Sequence, residues 1–293
     1  MEIIEVSDFN LKQTMECGQC FNFEKLEDAG NDSEYDCLYE YDITAFEKRL
    51  RIRQEGRKLI FLNADHKQVS NIWMHYFDLD RDYTKIKDGI ISADPGLKSV
   101  IDKYYGIRIL NQDFVETLIS FIISQNKNIP HIKQIVRNIS ARYGDLIDKD
   151  IVDGQEREYY SFPDPERLKL IGEEGFREMK TGFRAPYLAD AAKRLSSGQI
   201  CEEQLRSMGF QEAKDTLMKI KGVGDKVANC VLLFGLGFRN AFPVDVWIKR
   251  VMESLYFHED TDKKIIEKFA GDKFGEYGGY AQQYLFIYAR ENL

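Results

Sequence analysis

The hydrophobic periodicity of the chain changes near Asp94-Pro95-Gly96, and this change limits the folds that the chain can adopt. Before it, residues 38–64 alternate apolar with polar side chains around the turn Gln54-Glu55-Gly56-Arg57, as half-buried antiparallel strands do. We interpret the first hundred residues as strands and turns. After residue 97, apolar residues recur with helical spacing between short breaks rich in Gly, Pro, Asp or Asn. The predicted helical segments are 113–125, 130–143, 187–195, 225–234, 244–256 and 280–291.

These two patterns predict an α+β protein with two domains. An N-terminal antiparallel β domain would occupy residues 1–97, and an all-α domain would occupy residues 98–293. A chain of 293 residues is long enough to bury a substantial core.

The composition, with 43% hydrophobic and 31% charged residues, is typical of a soluble globular protein. The longest apolar runs, such as Val231-Leu232-Leu233-Phe234, are far shorter than the roughly 18 residues that indicate a membrane-spanning helix. The start, Met1 to Glu5, is acidic where a signal peptide is basic. Five cysteines, an odd number, argue against a disulfide framework. We therefore expect an intracellular protein, cytoplasmic and at the nucleoid if bacterial, that does not bind membranes.

The net charge of −8 argues, for the chain as a whole, against a nucleic-acid partner, because phosphate contacts need Lys and Arg. The charge is unevenly distributed, however. Between Lys180 and Arg250 there are 12 Lys and Arg against 7 Asp and Glu, so this segment carries +5 and the remainder −13. The charge is therefore polarised along the sequence.

The segment Gly222-Val223-Gly224 separates an apolar helix end from the helix that we predict from Asp225. Glycines permit backbone conformations closed to other residues, and free amides beside a helix N-terminus can hold a phosphate. A tight connection between two packed helices needs the same residues, so this motif alone is weak. Two features strengthen it: Lys226 follows at once, and Asp245 stands 19 residues further on, at the start of the next helix. Taken singly, Lys226 could be a solvated surface lysine and Asp245 an N-cap.

Together, residues 220–226 (IKGVGDK) and Pro243-Val244-Asp245 resemble the helix-hairpin-helix GPD superfamily of DNA base-excision glycosylases. A hairpin alone would indicate only DNA binding without sequence preference. The lysine at position 226 implies the branch that combines glycosylase and lyase activity. The resemblance also implies double-stranded DNA as the partner, contacts to it from Gly222, Val223 and Gly224, and no catalytic metal or cofactor. The hairpin could hold a monovalent cation, and we expect a monomer.

The chemistry gives a reason for this pair of residues. Cleavage of an N-glycosidic bond builds positive charge on the sugar, which a nearby carboxylate, Asp245, would stabilise. A neutral amine, Lys226, would attack the anomeric carbon and form an imine, and the imine acidifies the adjacent C–H so that the 3′ phosphate can leave.

The resemblance covers nearly the whole chain and, at each matching place, is to the eukaryotic-type 8-oxoguanine DNA glycosylases. Cys17-Gly18-Gln19-Cys20-Phe21 is similar to that family's S-G-Q-x-F segment, in which the glycine carbonyl accepts the N7–H that 8-oxoguanine has and guanine lacks. Thioredoxin-like and zinc sites also use C-x-x-C spacing. Neither a βαβ context nor a second Cys/His pair at metal spacing accompanies it here.

The rest of the implied base pocket lies in the C-terminal half. Residues 280–286 (YAQQYLF) resemble the family's A-Q-x-x-L-F helix, in which Gln282 would read the Watson–Crick edge of the base and Phe286 would stack on it. Cys230 matches a cysteine on the opposite face of the base, and Pro243 belongs to the same pocket. From sequence alone, Phe286 and Cys230 could equally be core residues.

A glycosylase must also hold the helix from which it takes a base. Residues 124–131 (SQNKNIPH) resemble the family's asparagine run, with Asn126 beside the orphaned partner base. Residues 182–187 (GFRAPY) resemble G-Y-R-A-x-Y, in which Phe183 would wedge into the duplex and Arg184 would bind the opposite cytosine. Alternatively, residues 126–128 are simply a polar helix end.

Four positions depart from the family pattern: Phe183 replaces tyrosine, Lys127 replaces the middle asparagine, Trp247 replaces histidine, and His131 replaces arginine. We expect Lys127, Asn128, His131 and Trp247 to contact DNA. We interpret the chain as an 8-oxoguanine DNA glycosylase with β-lyase activity, which uses a lysine Schiff base. A glycosylase for an alkylated base and a non-catalytic DNA-binding module are the alternatives.

Overall fold

The structure is a computed structural model that describes residues 1–30, 36–152 and 154–293. Its N-terminal part contains an antiparallel sheet with the strand order β1-β5-β4-β3-β2. The strands are β1 (Glu2–Glu5), β2 (Phe23–Gly30), β3 (Cys37–Ala45), β4 (Lys48–Glu55) and β5 (Lys58–Phe61). The apolar residues of the predicted alternation, such as Leu50 and Ile52, are fully buried. The predicted turn at 54–57 connects β4 to β5.

Helices make up most of the remainder, and each of the six predicted helical segments overlaps one of them. The helices are α1 (Leu11–Glu16), α2 (His66–Gln68), α3 (Met74–Tyr76), α4 (Tyr83–Ala93), α5 (Lys98–Lys103), α6 (Phe114–Ser124), α7 (Ile129–Tyr143), α8 (Pro165–Glu178), α9 (Ala185–Ser196), α10 (Glu202–Ser207), α11 (Phe210–Leu217), α12 (Asp225–Phe234), α13 (Val246–Met252), α14 (Lys263–Phe274) and α15 (Gly278–Asn292). Short π-helical turns join α2 to α3 and extend α13, and 3-10 turns precede α5, α9 and α15.

The interpretation of the first hundred residues as strands and turns is wrong for residues 11–16 and 66–93, which are largely helical. Two caps explain the difference in the second of these ranges. Asp65 and Gln68 form a reciprocal capping box at the start of α2, and the Asp82 side chain accepts hydrogen bonds from the first amides of α4. Both caps satisfy amides that a helix start leaves unpaired, and both could have been read from the sequence.

A two-stranded hairpin, β6 (Leu146–Val152) and β7 (Gln155–Tyr160), lies within the part that we expected to be all-α. It docks against the N-terminal sheet through Arg49, a buried residue of β4 that forms ion pairs with Asp148 and Asp150 of β6. The predicted α+β class, with a sheet followed by a mainly helical part, is confirmed.

The described residues form two hydrophobic cores. One lies under the N-terminal sheet and includes Phe9, Trp73 and Leu110, and the other fills the helical part. Cys17 and Phe21 belong to the helical core, so the segment after α1 passes from one core to the other. The predicted boundary between residues 97 and 98 stays a prediction. None of the described helices has the length and apolar character needed to cross a membrane.

Candidate active site

One small cavity, of about 50 Å³, lies among residues from α6, α12, α15, the segment after α1 and the segment before α13. Its lining contains both predicted catalytic residues and every residue of the predicted base pocket. These are Gly18, Lys226, Cys230, Pro243, Asp245, Gln282 and Phe286. Cys17, Phe121, Phe234 and Gln283 complete the lining, and the sequence did not single them out as site residues.

Gly18 is held at the cavity by its neighbour Gln19, which is fully buried. The Gln19 side chain donates to the carbonyls of Thr14 and Arg108, at 2.9 and 2.8 Å, and accepts from the amide of Leu110 at 2.9 Å. These bonds attach the segment to both flanking parts of the chain. Gly18 has a φ of +83°, in the left-handed region that favours glycine.

Lys226 lies in the first turn of α12, directly after the hairpin glycines. Its Nζ lies 3.3 Å from Oγ of Ser124, and that hydroxyl itself donates to the carbonyl of Phe121 at 2.8 Å. Since the hydroxyl hydrogen is used, the serine oxygen is the acceptor for the amine. Nζ also lies 5.0 Å from the centre of the Phe121 ring. The last turn of α6 therefore sets the position of the amine.

The two hairpin glycines have different surroundings. Gly222 has a φ of +78°, and a Cβ there would lie 2.2 Å from the ring of Tyr187 in α9, so tight packing explains this glycine. Gly224 is exposed, and a Cβ there would meet nothing within 4 Å. Packing does not explain the second glycine, and its side of the turn is open to a partner.

Asp245 is the N-cap of α13 as well as part of the cavity lining. Its Oδ1 accepts hydrogen bonds from the amides of Trp247 and Ile248, both at 2.9 Å. Its Oδ2 accepts none from the described residues. One oxygen thus fixes the carboxylate, and the other keeps its lone pairs for a ligand.

The two cysteines that line the cavity are free and buried. Burial raises the pKa of Cys230 to about 11, although the nearby Lys226 acts in the opposite direction. Burial likewise raises the pKa of Cys17 to about 12. Both side chains are therefore neutral thiols at physiological pH. No group of three or more His, Cys, Asp or Glu suited to a metal ion occurs among residues 1–30, 36–152 and 154–293.

Helix α15 forms one wall of the cavity with Gln282, Gln283 and Phe286, and Phe286 lies one turn after the two glutamines. The Gln282 amide donates to the carbonyl of Pro243 at 3.2 Å and accepts from the Gln283 amide at 2.7 Å. Both glutamines are almost completely buried. The ring of Phe286 lies against Gly18 and is partly exposed.

The predicted wedge and the predicted cytosine reader differ in exposure. The Phe183 side chain is 53% exposed, which is unusual for an aromatic residue and suits insertion between bases. Arg184 is 4% exposed, and its guanidinium donates to the carbonyls of Thr181, Gln125 and Asn126. Only one N–H of Arg184, on Nη1, has no partner among the described residues. In this structure Arg184 holds the loop after α6.

That loop carries the predicted asparagine run. Asn126 is exposed and has a φ of +51°, so its side chain stands at the tip of a turn. Asn128 is the N-cap of α7 and accepts from the amide of His131 at 3.0 Å, which fits the interpretation as a polar helix end. His131 is exposed in the first turn of α7. Lys127 lies between them and is partly buried.

The excess positive charge of residues 180–250 is partly available to a partner. The partly buried Trp247 lies beside Arg250, whose guanidinium is 5.2 Å from its ring. Five basic residues of this segment are exposed and form no ion pair within the part of the chain that the structure describes. They are Lys180, Lys193, Lys219, Lys221 and Arg250.

The sequence matches two families of known proteins. Residues 3–118 match the N-terminal domain of 8-oxoguanine DNA glycosylase, and residues 119–274 match the HhH-GPD superfamily of base excision DNA repair proteins. The chain belongs to the HhH-GPD superfamily. The family resemblance predicted from the hairpin, the lysine and the aspartate is confirmed.

Similar proteins carry related names. The HhH-GPD chain is 34% identical to the N-glycosylase/DNA lyase OGG1 of Arabidopsis thaliana over 78% of its own length, and it spans 60% of that protein. It superposes with a TM-score of 0.88 on the 8-oxoguanine glycosylase/lyase of Clostridium acetobutylicum, at 40% identity, covering 100% of this chain and 98% of the other. That protein was solved with double-stranded DNA containing cytosine opposite 8-oxoguanine. The structure of MBOgg1 with a low-affinity DNA ligand gives a TM-score of 0.89 at 43% identity, covering 99% and 95% of the two chains.

Sequence reasoning missed four features of this HhH-GPD site. Ser124 positions the amine, Phe121 and Phe234 stack beside it with ring centres 5.5 Å apart, and Gln283 lies next to Gln282. Phe121 and Phe234 lie in apolar helices, where core packing is the ordinary interpretation. Ser124 and Gln283 lie within the asparagine run (residues 124–131) and the segment 280–286, so only their contacts distinguish them from neighbouring residues.

Proposed function

We propose that this protein is an 8-oxoguanine DNA glycosylase with β-lyase activity. The proposal rests on one observation: Lys226, Asp245, Gly18 and Phe286 all line the same cavity. A DNA-binding module would need the hairpin but not a cavity lined by an amine and a carboxylate. The names of the similar proteins support the same conclusion.

In the first step, Nζ of Lys226 attacks C1′ of the flipped nucleotide while the bond from C1′ to the base breaks. The amine loses a proton, and the departing base gains one, so the step is balanced. Positive charge develops on the sugar, and the free oxygen of Asp245, which lines the same cavity as Lys226, would stabilise that charge. The hydrogen bond to Ser124 and the Phe121 ring hold the amine for attack.

In the second step, the C1′–O4′ bond breaks, the remaining proton on the nitrogen moves to O4′, and the C1′–N bond becomes an imine. The imine withdraws electrons from C2′, which loses a proton, and the C3′–O bond breaks so that the 3′ phosphate leaves. The lysine stays covalently attached to the sugar until water releases it. This chemistry needs an amine and a carboxylate, so we propose that it requires neither a metal nor an organic cofactor.

Recognition of the lesion would come from Gly18. A backbone carbonyl accepts a hydrogen bond and does not donate one, so it pairs with the N7–H of 8-oxoguanine but not with N7 of guanine, itself an acceptor. Because the substrate is DNA, we propose that the protein acts inside the cell, at the nucleoid if the source is bacterial. A monomeric state and a monovalent cation at the hairpin stay predictions.

The deciding experiment is borohydride trapping on a duplex with one 8-oxoguanine. The wild-type protein should become covalently linked to DNA, and Lys226→Gln should abolish trapping while still binding the duplex. Lys67→Gln, at an exposed lysine of α2 without an ion pair among the described residues, is the matched control and should trap normally. Trapping by Lys226→Gln would place the nucleophile elsewhere. Binding without trapping by the wild type would favour the DNA-binding module.

Asp245→Asn tests the carboxylate separately from the cap, because asparagine caps helices about as well as aspartate. The fold should persist, while single-turnover base release should fall by roughly 10²–10³-fold, the scale of one electrostatic group at a transition state. Unchanged base release would reject the role. A panel of duplexes, each with one lesion, separates 8-oxoguanine from the alternative of an alkylated base.

A further inference from the structure

Gln283 carries a buried acceptor that the catalytic steps leave unused. Its side chain is 3% exposed and lines the cavity, and its Oε1 has no hydrogen-bond partner among the described residues. A buried amide oxygen without a partner destabilises a protein, because it has lost its hydrogen bonds to water. An orphaned acceptor at a cavity wall therefore indicates a ligand that donates.

The hydrogen bonds fix which end of each glutamine is which. The carbonyl of Pro243 only accepts, so the nitrogen of Gln282 faces it. The oxygen of Gln282 then accepts from the nitrogen of Gln283, which leaves the oxygen of Gln283 as the free group. Exchanging the ends of either amide would bring two acceptors or two donors together.

Both glutamines line the cavity, and between them they carry three hydrogen-bonding groups: a donor at Gln282 Nε2, an acceptor at Gln282 Oε1 and a second acceptor at Gln283 Oε1. Nε2 has a second hydrogen, and the Gln282 oxygen has a second lone pair, so both can still bind a ligand. The Watson–Crick edge of a guanine-type base offers the complementary order: the O6 acceptor, the N1–H donor and the 2-amino donor. An adenine-type edge offers a donor followed by an acceptor, and it does not match.

We infer that Gln283 is a specificity-determining residue, whose Oε1 accepts a hydrogen bond from the 2-amino group of the excised base. The inference rests on the proposed function and deepens it. It restricts the substrates to oxidised bases that keep the donor edge of guanine, whether the imidazole ring is intact or opened. Oxidised adenines would bind poorly, because their edge lacks the 2-amino group.

The test removes first the donor, the 2-amino group of the base, and then the acceptor, the Gln283 side chain. Single-turnover excision is measured on duplexes that place either 8-oxoguanine or 8-oxohypoxanthine opposite cytosine, since the second base lacks only the 2-amino group. The wild type should excise 8-oxohypoxanthine roughly 10- to 100-fold more slowly, the scale of a buried hydrogen-bond partner lost. In Gln283→Met, which keeps the length of the side chain but has no acceptor, the two rates should agree within about threefold.

Tyr284→Phe is the matched control. The Tyr284 hydroxyl is also buried without a partner among the described residues, but Tyr284 does not line the cavity. It should keep the wild-type ratio between the two bases. Gln283→Ala gives the same readout if Gln283→Met does not fold, and affinity for both duplexes in the Lys226→Gln background gives a readout independent of chemistry.

Equal wild-type rates on the two bases would overturn the inference and leave the proposed function intact. A Gln283→Met protein that keeps the wild-type ratio would also overturn it, because the discrimination would then come from another group. Absence of excision on both duplexes by the wild type would instead reject the proposed function, and the inference with it.

Discussion

A Cβ at residue 18 would lie 3.2 Å from Cε1 of Phe286, so the absence of a side chain on Gly18 allows the aromatic ring to occupy its place at the cavity. The φ of +83° at Gly18 adds a second requirement for glycine, since L-residues rarely adopt it. The two residues thus specify each other: the ring needs the glycine, and the backbone carbonyl proposed to read the lesion lies next to the ring.

Gly18→Ala should therefore cost both stability and lesion binding. The left-handed backbone should lower the free energy of unfolding by about 1–2 kcal/mol. The displaced Phe286 ring should lower affinity for an 8-oxoguanine duplex in the Lys226→Gln background. Gly198→Ala is the control, because Gly198 has a φ of +71° and nothing within 4 Å of its Cβ position. It should lose similar stability in urea unfolding and no affinity. Equal affinity losses in both variants would show that the Phe286 contact does not matter.

Ser124 should act as a positioning residue for Lys226. Ser124→Ala removes the acceptor for Nζ, so the amine becomes less well placed, and the borohydride trapping rate should fall by roughly 3- to 10-fold. Ser120→Ala, one turn earlier in α6, removes a buried hydroxyl that has no partner among the described residues and does not line the cavity. It should trap at the wild-type rate. A loss of the same size in both variants would indicate a general effect on the helix.

The sequence predicted that Lys226 and Asp245 belong to one site, and both line the same cavity, because this pairing depends on residue type and spacing. A lysine directly after a Gly-x-Gly turn and an aspartate at the start of the next helix come to the same cavity when the helices pack. The contacts of Arg184 could not be predicted in this way. Its motif implies a contact to cytosine, but the structure uses its guanidinium on three carbonyls, and no local pattern reports where a long side chain ends.

The sequence likewise predicted some elements of the fold and missed others. Regular alternation and helical spacing of apolar residues predicted the sheet and the main helices. The β6–β7 hairpin was not predicted, because its strands are mostly polar and partly exposed. Ion pairs from Arg49, and not apolar burial, hold the hairpin against the sheet. Distant charge pairing of this kind leaves no periodic signal.

Stability should fall as the pH rises from about 4.5 to 8, through Glu116. Burial, together with the charge of Asp113, raises the pKa of this carboxyl to about 8, so the folded protein keeps the proton that the unfolded chain loses near its usual pKa of about 4.3. The native state then binds more protons than the unfolded state, and unfolding becomes easier with rising pH. Glu116→Gln should remove this trend and stabilise the protein at pH 8 by on the order of 2–4 kcal/mol, with little change at pH 4.

Urea unfolding at several pH values measures this effect. Glu178→Gln makes the same substitution at an exposed residue of α8 and should leave the pH trend in place. If Glu116→Gln kept the trend, another group would have to carry the linked proton. Because Glu116 lies in α6, which holds Phe121 and Ser124, the same titration should loosen the helix that positions the amine.

The base opposite the lesion should be read only weakly. Cytosine presents acceptors at O2 and N3, and a reader needs donors aimed at them. Arg184 has one N–H left after its bonds to carbonyls, and His131, exposed in the first turn of α7, is shorter than arginine and carries a single donor when neutral. One charged hydrogen bond is worth about 1.5–3 kcal/mol, or roughly ten- to a hundredfold in discrimination.

We therefore expect single-turnover excision of 8-oxoguanine opposite cytosine to exceed that opposite the other three bases by less than roughly tenfold, since one charged bond of that size is missing. His131→Arg should sharpen the preference, because a planar guanidinium offers two parallel donors to cytosine. His131→Lys is the control: it adds the same charge without the fork and should speed excision on all four duplexes alike through the phosphates. A strict cytosine requirement in the wild type would show that Arg184 leaves its carbonyl partners on DNA binding and reads cytosine without help from His131.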